Sequence, residues 1–493
     1  MRKLFITIGT LLLLINIPFS LEAQSPDDAL RYSQRFYSGT SRFNSMGGAF
    51  TALGGDLSSL GLNPAGLAVF RRSEISFTPH ISYNNSSSFF TDRGEDFRYN
   101  LSAGQFGIAV PVVVTGSESG HVSTVFGYSY SQTNNYNANI VIRGVKSNSS
   151  MADFWADASN GILWENLGGS AGRAFDAWLI DTIAGGGGTT YATIFSRYGE
   201  ETQSTYGQSV RRVIQNEGYA GDHTFSLAVN YGNNLFAGAA LSLSRFNYTG
   251  HYEHIEHDDQ GAIFDFKSFS FVDHFEATGT GYSLRAGLIY LPLDFVRLGL
   301  SLHTPTIFRV KEYYHDDIVS TFDNGDMYEF SSDAFRFEYR LTTPFRVLTG
   351  AAVQIDRSAT ISLDYEFVDY SITRFSNASD NYDYFDENQS IRDIFAPAHN
   401  IRAGLEYRLG NIYLRGGYGF YGSGFHPDEP NSDWSYSSYS GGIGVRQASF
   451  YLDFGYTRLS SSQKYFMYSH PDLDAATIDN TRNNFTVTAG VRF

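Results

Sequence analysis

Three histidines, His251, His254 and His257, alternate with Glu253, Glu256, Asp258 and Asp259. That residue set could ligate a divalent metal or a haem iron. The spacing argues against it. On a strand, His251 and His257 share one face while His254 points to the other, so the three converge only across a turn. The stretch reads as a solvated loop, and no metal is expected. Asp323-Asn324-Gly325-Asp326 lacks the ligand spacing of a calcium loop and reads as a turn. The Gly185–Gly188 run lacks the Lys-Ser/Thr that completes a phosphate loop and reads as a hinge. No Gly-x-Ser-x-Gly elbow occurs, and the chain has no cysteine, which excludes thiolate ligands, disulfides and cysteine nucleophiles. No catalytic residue and no cofactor is assigned; the chain reads as a non-enzyme.

Arginine is the other chemistry-bearing type. Arg285, Arg297, Arg402, Arg408, Arg415 and Arg492 fall on the polar side of alternating segments, with Asp364 and Glu366 among them. A guanidinium offers paired N–H donors to a carboxylate head group, which makes Arg285, Arg402 and Arg415 candidate ligand contacts. Ion pairing within the protein is the favoured reading of the same residues.

Alternation decides what must hold these side chains. Ala359–Phe367 sets Ile361, Leu363, Tyr365 and Phe367 against Ser362, Asp364 and Glu366, and Asn400–Leu409 repeats the pattern. Period two is that of a strand separating two environments. Tight links such as 232–234, 292–295, 356–358, 410–411 and 447–448 alternate with long polar links such as 377–388, 424–433 and 460–480. Short turns at one rim and long loops at the other describe an outer-membrane barrel. The expectation is about fourteen antiparallel strands over 73–493, an even number that puts both ends at the periplasmic rim. Composition agrees: 493 residues carry 17% charged and 16% aromatic side chains with 49 glycines. Lys+Arg 35 against Asp+Glu 51 gives a net charge of −16, which excludes general nucleic-acid binding.

Residues 1–23 read as a secretory signal: Arg2 and Lys3, an apolar stretch over 4–19, and a cleavage site after Ala23. The last residues, NFTVTAGVRF, alternate and end on Phe493, resembling the terminal strand by which the barrel-assembly machinery recognises outer-membrane barrels. Residues 24–72 do not alternate. A helix is expected over 27–37 and a short one over 56–62, broken by Pro64.

The run Met46-Gly47-Gly48-Ala49-Phe50-Thr51-Ala52, followed by Asn63-Pro64-Ala65-Gly66-Leu67-Ala68, resembles the N-terminal hatch of the FadL/TodX family of outer-membrane hydrophobic-compound transporters. Tyr290-Leu291-Pro292, Arg297-Leu298-Gly299, His303-Thr304-Pro305-Thr306 and Thr343-Pro344-Phe345-Arg346 are similar to that family too. The resemblance implies a fourteen-stranded barrel plugged by residues 24–72, with Asn63, Pro64 and Ala65 as the hatch motif. It further implies passive passage of fatty-acid-like molecules from outside, through a lumen site, and out sideways through the wall.

The largest insertion, 136–221, is expected on the extracellular side with amphipathic helices near 152–167 and 171–183. Phe154, Trp155, Trp164, Phe175 and Trp178 could collect an apolar ligand there, or pack against one another to cover the mouth. The expected partners are outer-membrane lipid, a hydrophobic small molecule, the assembly machinery and, as the alternative to transport, other outer-membrane proteins for which the barrel is a scaffold subunit.

Overall fold

The structure is a computed structural model that describes residues 25–113, 120–146, 148–196, 206–356, 358–378 and 382–493. The expected signal sequence lies outside the described residues.

Fourteen antiparallel strands close into a barrel. In chain order they are β1 (Glu74–Phe89), β2 (Arg93–Val113), β3 (His121–Asn135, continued by Ala138–Val145), β4 (Ser209–Tyr231) and β5 (Leu235–His257). Then follow β6 (Ser268–Leu293), β7 (Val296–His303 and Ile307–Thr321), β8 (Phe335–Thr342 and Arg346–Ile355) and β9 (Ala359–Asp369 and Arg374–Asn377). The wall is completed by β10 (Pro397–Leu409), β11 (Ile412–Tyr421), β12 (Tyr436–Arg446), β13 (Phe450–Tyr465) and β14 (Ala476–Arg492). Closure joins β1 to β14, with Ile75 opposite Val491 and Tyr83 opposite Asn483. Wherever its ladders are continuous a closed sheet leaves no edge, which hydrocarbon requires, because an unpaired backbone group has no water to turn to there.

Two neighbouring strands are broken at the same level. β7 is interrupted at 304–306 and β8 at 343–345, each around a proline that cannot donate to the ladder.

The alternation read from the sequence maps onto the two faces. Leu363 is 54% exposed on the outside, whereas Ser362 is 1% exposed on the inside. Several strands run further than expected: β4 starts at Ser209 rather than near 222, and β14 at Ala476 rather than near 483. Above the lipid the outer face need not be apolar, so the pattern fades while the ladder continues. The insertion is correspondingly narrower than 136–221, because Ala138–Val145 and the first part of β4 belong to the wall.

Inside the barrel lie α1 (Pro26–Ser33), α2 (Ser41–Ser45) and two 3-10 turns, Leu57–Gly61 and Pro64–Val69. The expected helix over 27–37 is shorter. It starts with Ser25 as cap and Pro26 in the first turn, and ends at Gln34, after which the chain runs extended with the Phe36 N–H donating to the Thr133 carbonyl at 2.8 Å. Above the barrel, α3 (Met151–Ser159) and α4 (Gly169–Asp176) are also shorter than expected. Gly161 at φ +89° stops the first, and Trp178 at φ +61° redirects the second into a two-stranded hairpin, Ile180–Thr182 with Tyr191–Thr193. The Gly185–Gly188 run is the loop of that hairpin.

Candidate functional site: the lumen, its N-terminal segment and the β2–β3 wall

The Asn63-Pro64-Ala65 motif is where the N-terminal segment meets the wall. Asn63 caps the second 3-10 turn by accepting from the Ala65 N–H at 3.1 Å. Its amide nitrogen donates to the Thr51 carbonyl at 2.6 Å and to the wall carbonyl of Leu288 at 3.2 Å. Two wall glycines make this approach possible: a Cβ at Gly287 would sit 1.8 Å from Asn63 Oδ1, and one at Gly238 would sit 2.5 Å from the Pro64 carbonyl carbon. Further contacts fix the rest of the segment. Thr51 donates through both N–H and Oγ1 to Asp364 (2.8 and 2.7 Å), and Arg42 pairs with Glu406 at 2.9 Å.

The lumenal arginines make ion pairs and donate to carbonyls of the N-terminal segment. Arg285 pairs with Asp222 and donates to the Gly61 carbonyl at 2.5 Å. Arg402 and Arg346 share Glu366, each at 2.6 Å, and Arg346 also donates to the Ser33 carbonyl at 2.6 Å. Arg415 bridges Glu406 and Asp453 at 2.6 and 2.7 Å. Arg297 donates to the Leu53 carbonyl at 2.7 Å. Arg408 is exposed at the turn end, and Arg492 pairs with Glu74 at 2.7 Å. Pairing offsets the cost of burying these charges, although Arg285 Nε, Arg402 Nε and Nη2 and Arg415 Nη2 have no hydrogen-bond partner among the described residues.

Above this charged layer the lumen is aromatic. Tyr32 of α1 stacks on Phe246 with centroids 4.2 Å apart, and Tyr248, Phe275, Phe308, Tyr339, Tyr370 and Tyr384 are buried around it. Two cavities flank α1 and the segment after it. One, of about 270 Å³, is lined by Leu30, Arg31, Asn135, Tyr136, Ile214 and Trp434 among others. The other, of about 70 Å³, lies between Phe36, His80, Gln132 and Tyr421. Both are lined by Asn134 and Asn135.

Those two asparagines belong to an irregularity in the wall. β3 shifts register against β4 between Gln132 and Asn134, and stops at Asn135 before resuming at Ala138. Its ladder with β2 covers only Gln105–Val113 against Ser123–Ser131. Further up, among the described residues, side chains and one isolated bridge stand in for backbone pairs. Ser102 Oγ donates to Gln132 at 2.9 Å, Arg98 donates to Asn139 at 3.1 Å, and Asp92 opposite Arg143 closes the top. Nothing in the period-two reading marked this site. The available signal was the run Asn134-Asn135-Tyr136-Asn137, poor in strand formers.

The cap over the mouth packs around Trp155, which is fully buried against Phe269 and Phe271. Trp164 and Trp178 are 49% and 47% exposed, Phe175 stacks on Trp164 at 6.0 Å, and Phe154 is half-buried. Buried Glu256 ties the cap to β5 by accepting from the Met151 N–H and the Gln208 amide, each at 2.8 Å, and from His254 at 3.0 Å. The histidine run is therefore strand rather than the solvated loop expected, because the β5 ladder extends to His257. His254 points inward, away from His251, as strand geometry requires. Among the described residues no group of three or more metal-ligating side chains converges. Asp153 in α3 accepts from the Ser150 N–H at 2.8 Å and from Tyr206 at 2.9 Å, while burial pushes its carboxyl above the usual range.

Among solved structures the chain is similar to a FadL homologue of Pseudomonas aeruginosa, at 13% identity over 94% of this chain and 100% of that one, with a TM-score of 0.53. It is similar to the toluene transporter TodX of Pseudomonas putida at 11% identity, over 94% and 100% of the two chains, with a TM-score of 0.51. The Ralstonia pickettii toluene transporter TbuX matches at 12% identity, over 94% and 99%, with a TM-score of 0.50. No protein-family model and no curated protein matches the chain. At these identities the likeness establishes architecture: this is an outer-membrane-type β-barrel built on the plan of the FadL-like hydrophobic-compound transporters.

Proposed function

We propose that the chain is a passive outer-membrane transporter of hydrophobic or amphipathic, fatty-acid-like molecules, which occupy the lumen and leave sideways between β2 and β3. The observation that carries this reading is the convergence of two lumen cavities on Asn134 and Asn135, where backbone pairing with β2 gives way to side-chain contacts. A wall held there by side chains opens at the cost of a few hydrogen bonds of about 1 kcal/mol each, far less than a ladder in hydrocarbon would demand. Residues 24–72 act as the plug that keeps ions out, and the exposed Trp164 and Trp178 at the mouth offer first contact to an apolar solute. The inward arginines pair with wall carboxylates and tie the plug to the wall through its carbonyls, while Arg285 Nε, Arg402 Nε and Nη2 and Arg415 Nη2 keep no hydrogen-bond partner among the described residues. Energy input, nucleotide and cofactor play no part.

Filling the passage tests the sideways exit. Asn135→Trp places an indole where both cavities meet, and transfer of a labelled fatty acid should fall at least fivefold while the barrel still migrates as a folded, heat-modifiable species. Unchanged transfer by a folded Asn135→Trp barrel would place the route elsewhere.

A further inference from the structure

The outer wall carries a basic site that transport does not use. On strands β5 to β8 the register aligns Arg245, Thr280, Arg309 and Arg340 in one lateral row: Arg245 is opposite Thr280, Thr280 opposite Arg309, and Arg309 opposite Arg340. All three arginines are exposed. Arg309 pairs with Glu338, whereas among the described residues Arg245 and Arg340 have no ion-pair partner. Lys311 and Arg336 stand one and two rows above, with Glu338 and Glu276 as the acidic residues of those rows. Like charges directly opposite on adjacent strands repel, so Arg309 against Arg340 costs stability unless an anion sits between them. In a chain of net charge −16, this concentration of cations on one face calls for a specific counter-charge.

The surroundings say what kind. The arginines rim a groove of about 790 Å³ whose other walls include Leu243, Tyr282 and Ile307. Two residues lower on the same outer face, Leu241 and Leu284 open into an apolar furrow of about 1150 Å³ that extends to Leu302, Pro305 and Phe345, where β7 and β8 are both broken. Arg245 stands eleven residues above the short turn at 232–234, roughly 28 Å up a strand tilted by about 40°, which is the top of an apolar band about 25 Å tall. Cations at the upper lipid boundary, directly above a furrow suited to hydrocarbon, match a molecule with phosphate at its head and several acyl chains below.

We infer that this row and furrow bind the phosphorylated, multiply acylated sugar lipid of the outer leaflet, its phosphate on Arg245, Arg309 and Arg340 and its chains against Leu241, Leu284 and Phe345. The inference rests on the outer-membrane orientation proposed above, not on transport.

Full-length mature protein in a mild detergent is titrated with bisphosphorylated lipid A, and bound lipid is counted by native mass spectrometry. Heat-modifiability is recorded in parallel to certify the barrel, so a failed barrel is told apart from a failed site. Expected are stoichiometric retention by the wild type, at least tenfold weaker binding by Arg245→Gln/Arg340→Gln, intermediate weakening by each single variant, and wild-type behaviour of Arg408→Gln at the opposite rim. Fully dephosphorylated lipid A should bind the wild type at least tenfold less well. Equal retention by the folded double variant, equal affinity for the dephosphorylated probe, or phosphatidylglycerol competing as well as lipid A would each overturn the assignment.

Discussion

Single side chains set the contrast between the two faces of this wall. Leu363→Arg puts a guanidinium against acyl chains and should cost about 2–4 kcal/mol in folding titrations from denaturant into lipid; a cost below about 0.5 kcal/mol would contradict the outward assignment. The sequence alone suggests that its neighbour Ser362 tolerates charge because it faces a lumen. The structure removes that tolerance, since Ser362 is buried beside Gly404 under Met46 of the N-terminal segment. Outward residues were legible because lipid selects one kind of side chain. Inward residues were legible as polar but not as paired, because which carboxylate meets Arg285 or Arg402 depends on register and on the plug. Gly287 shows the same limit: it reads as an unremarkable strand residue until Asn63 is seen against it. Gly287→Val should push the plug from its seat, raising single-channel conductance in planar bilayers from near zero to a measurable, flickering level.

At the scale of elements, the cap depends on few anchors. Glu256→Ala leaves the buried Met151 and Gln208 donors unsatisfied, at about 1–3 kcal/mol of local stability each, read as faster amide exchange in α3 with β5 protection retained. The Asp153 carboxyl is held above its unfolded value by burial, so the folded cap binds that proton more tightly than the unfolded one. Its contribution is therefore full below the unfolded value of 3.8 and is lost as pH rises through the raised one. Protection factors in Met151–Ser159, corrected for intrinsic exchange, should fall over that window, and Asp153→Asn should flatten the profile. The helices here were legible from apolar spacing, but their ends were not, because Gly161 and Trp178 take left-handed backbone that spacing does not encode. The β3 break leaves no mark in the sequence for a related reason: an interrupted ladder changes pairing, not the alternation of side chains between the two faces.

For the molecule as a whole, a closed barrel with a wedged N-terminal segment implies a plug whose removal leaves a hole. Deletion of residues 25–72 should convert a silent barrel into an ion-conducting pore, whereas a folded but silent truncation would mean that the wall collapses or the cap alone seals it. Passive movement of a hydrophobic solute is tested most directly by accumulation of radiolabelled oleate in bacteria lacking their own outer-membrane fatty-acid transporter and supplied with this chain. Uptake should rise at least tenfold over the empty strain, persist when outer-membrane energy transduction is disabled, and fall to background with Asn135→Trp. Background uptake with a folded, surface-exposed wild-type barrel would contradict transport of fatty-acid-like molecules.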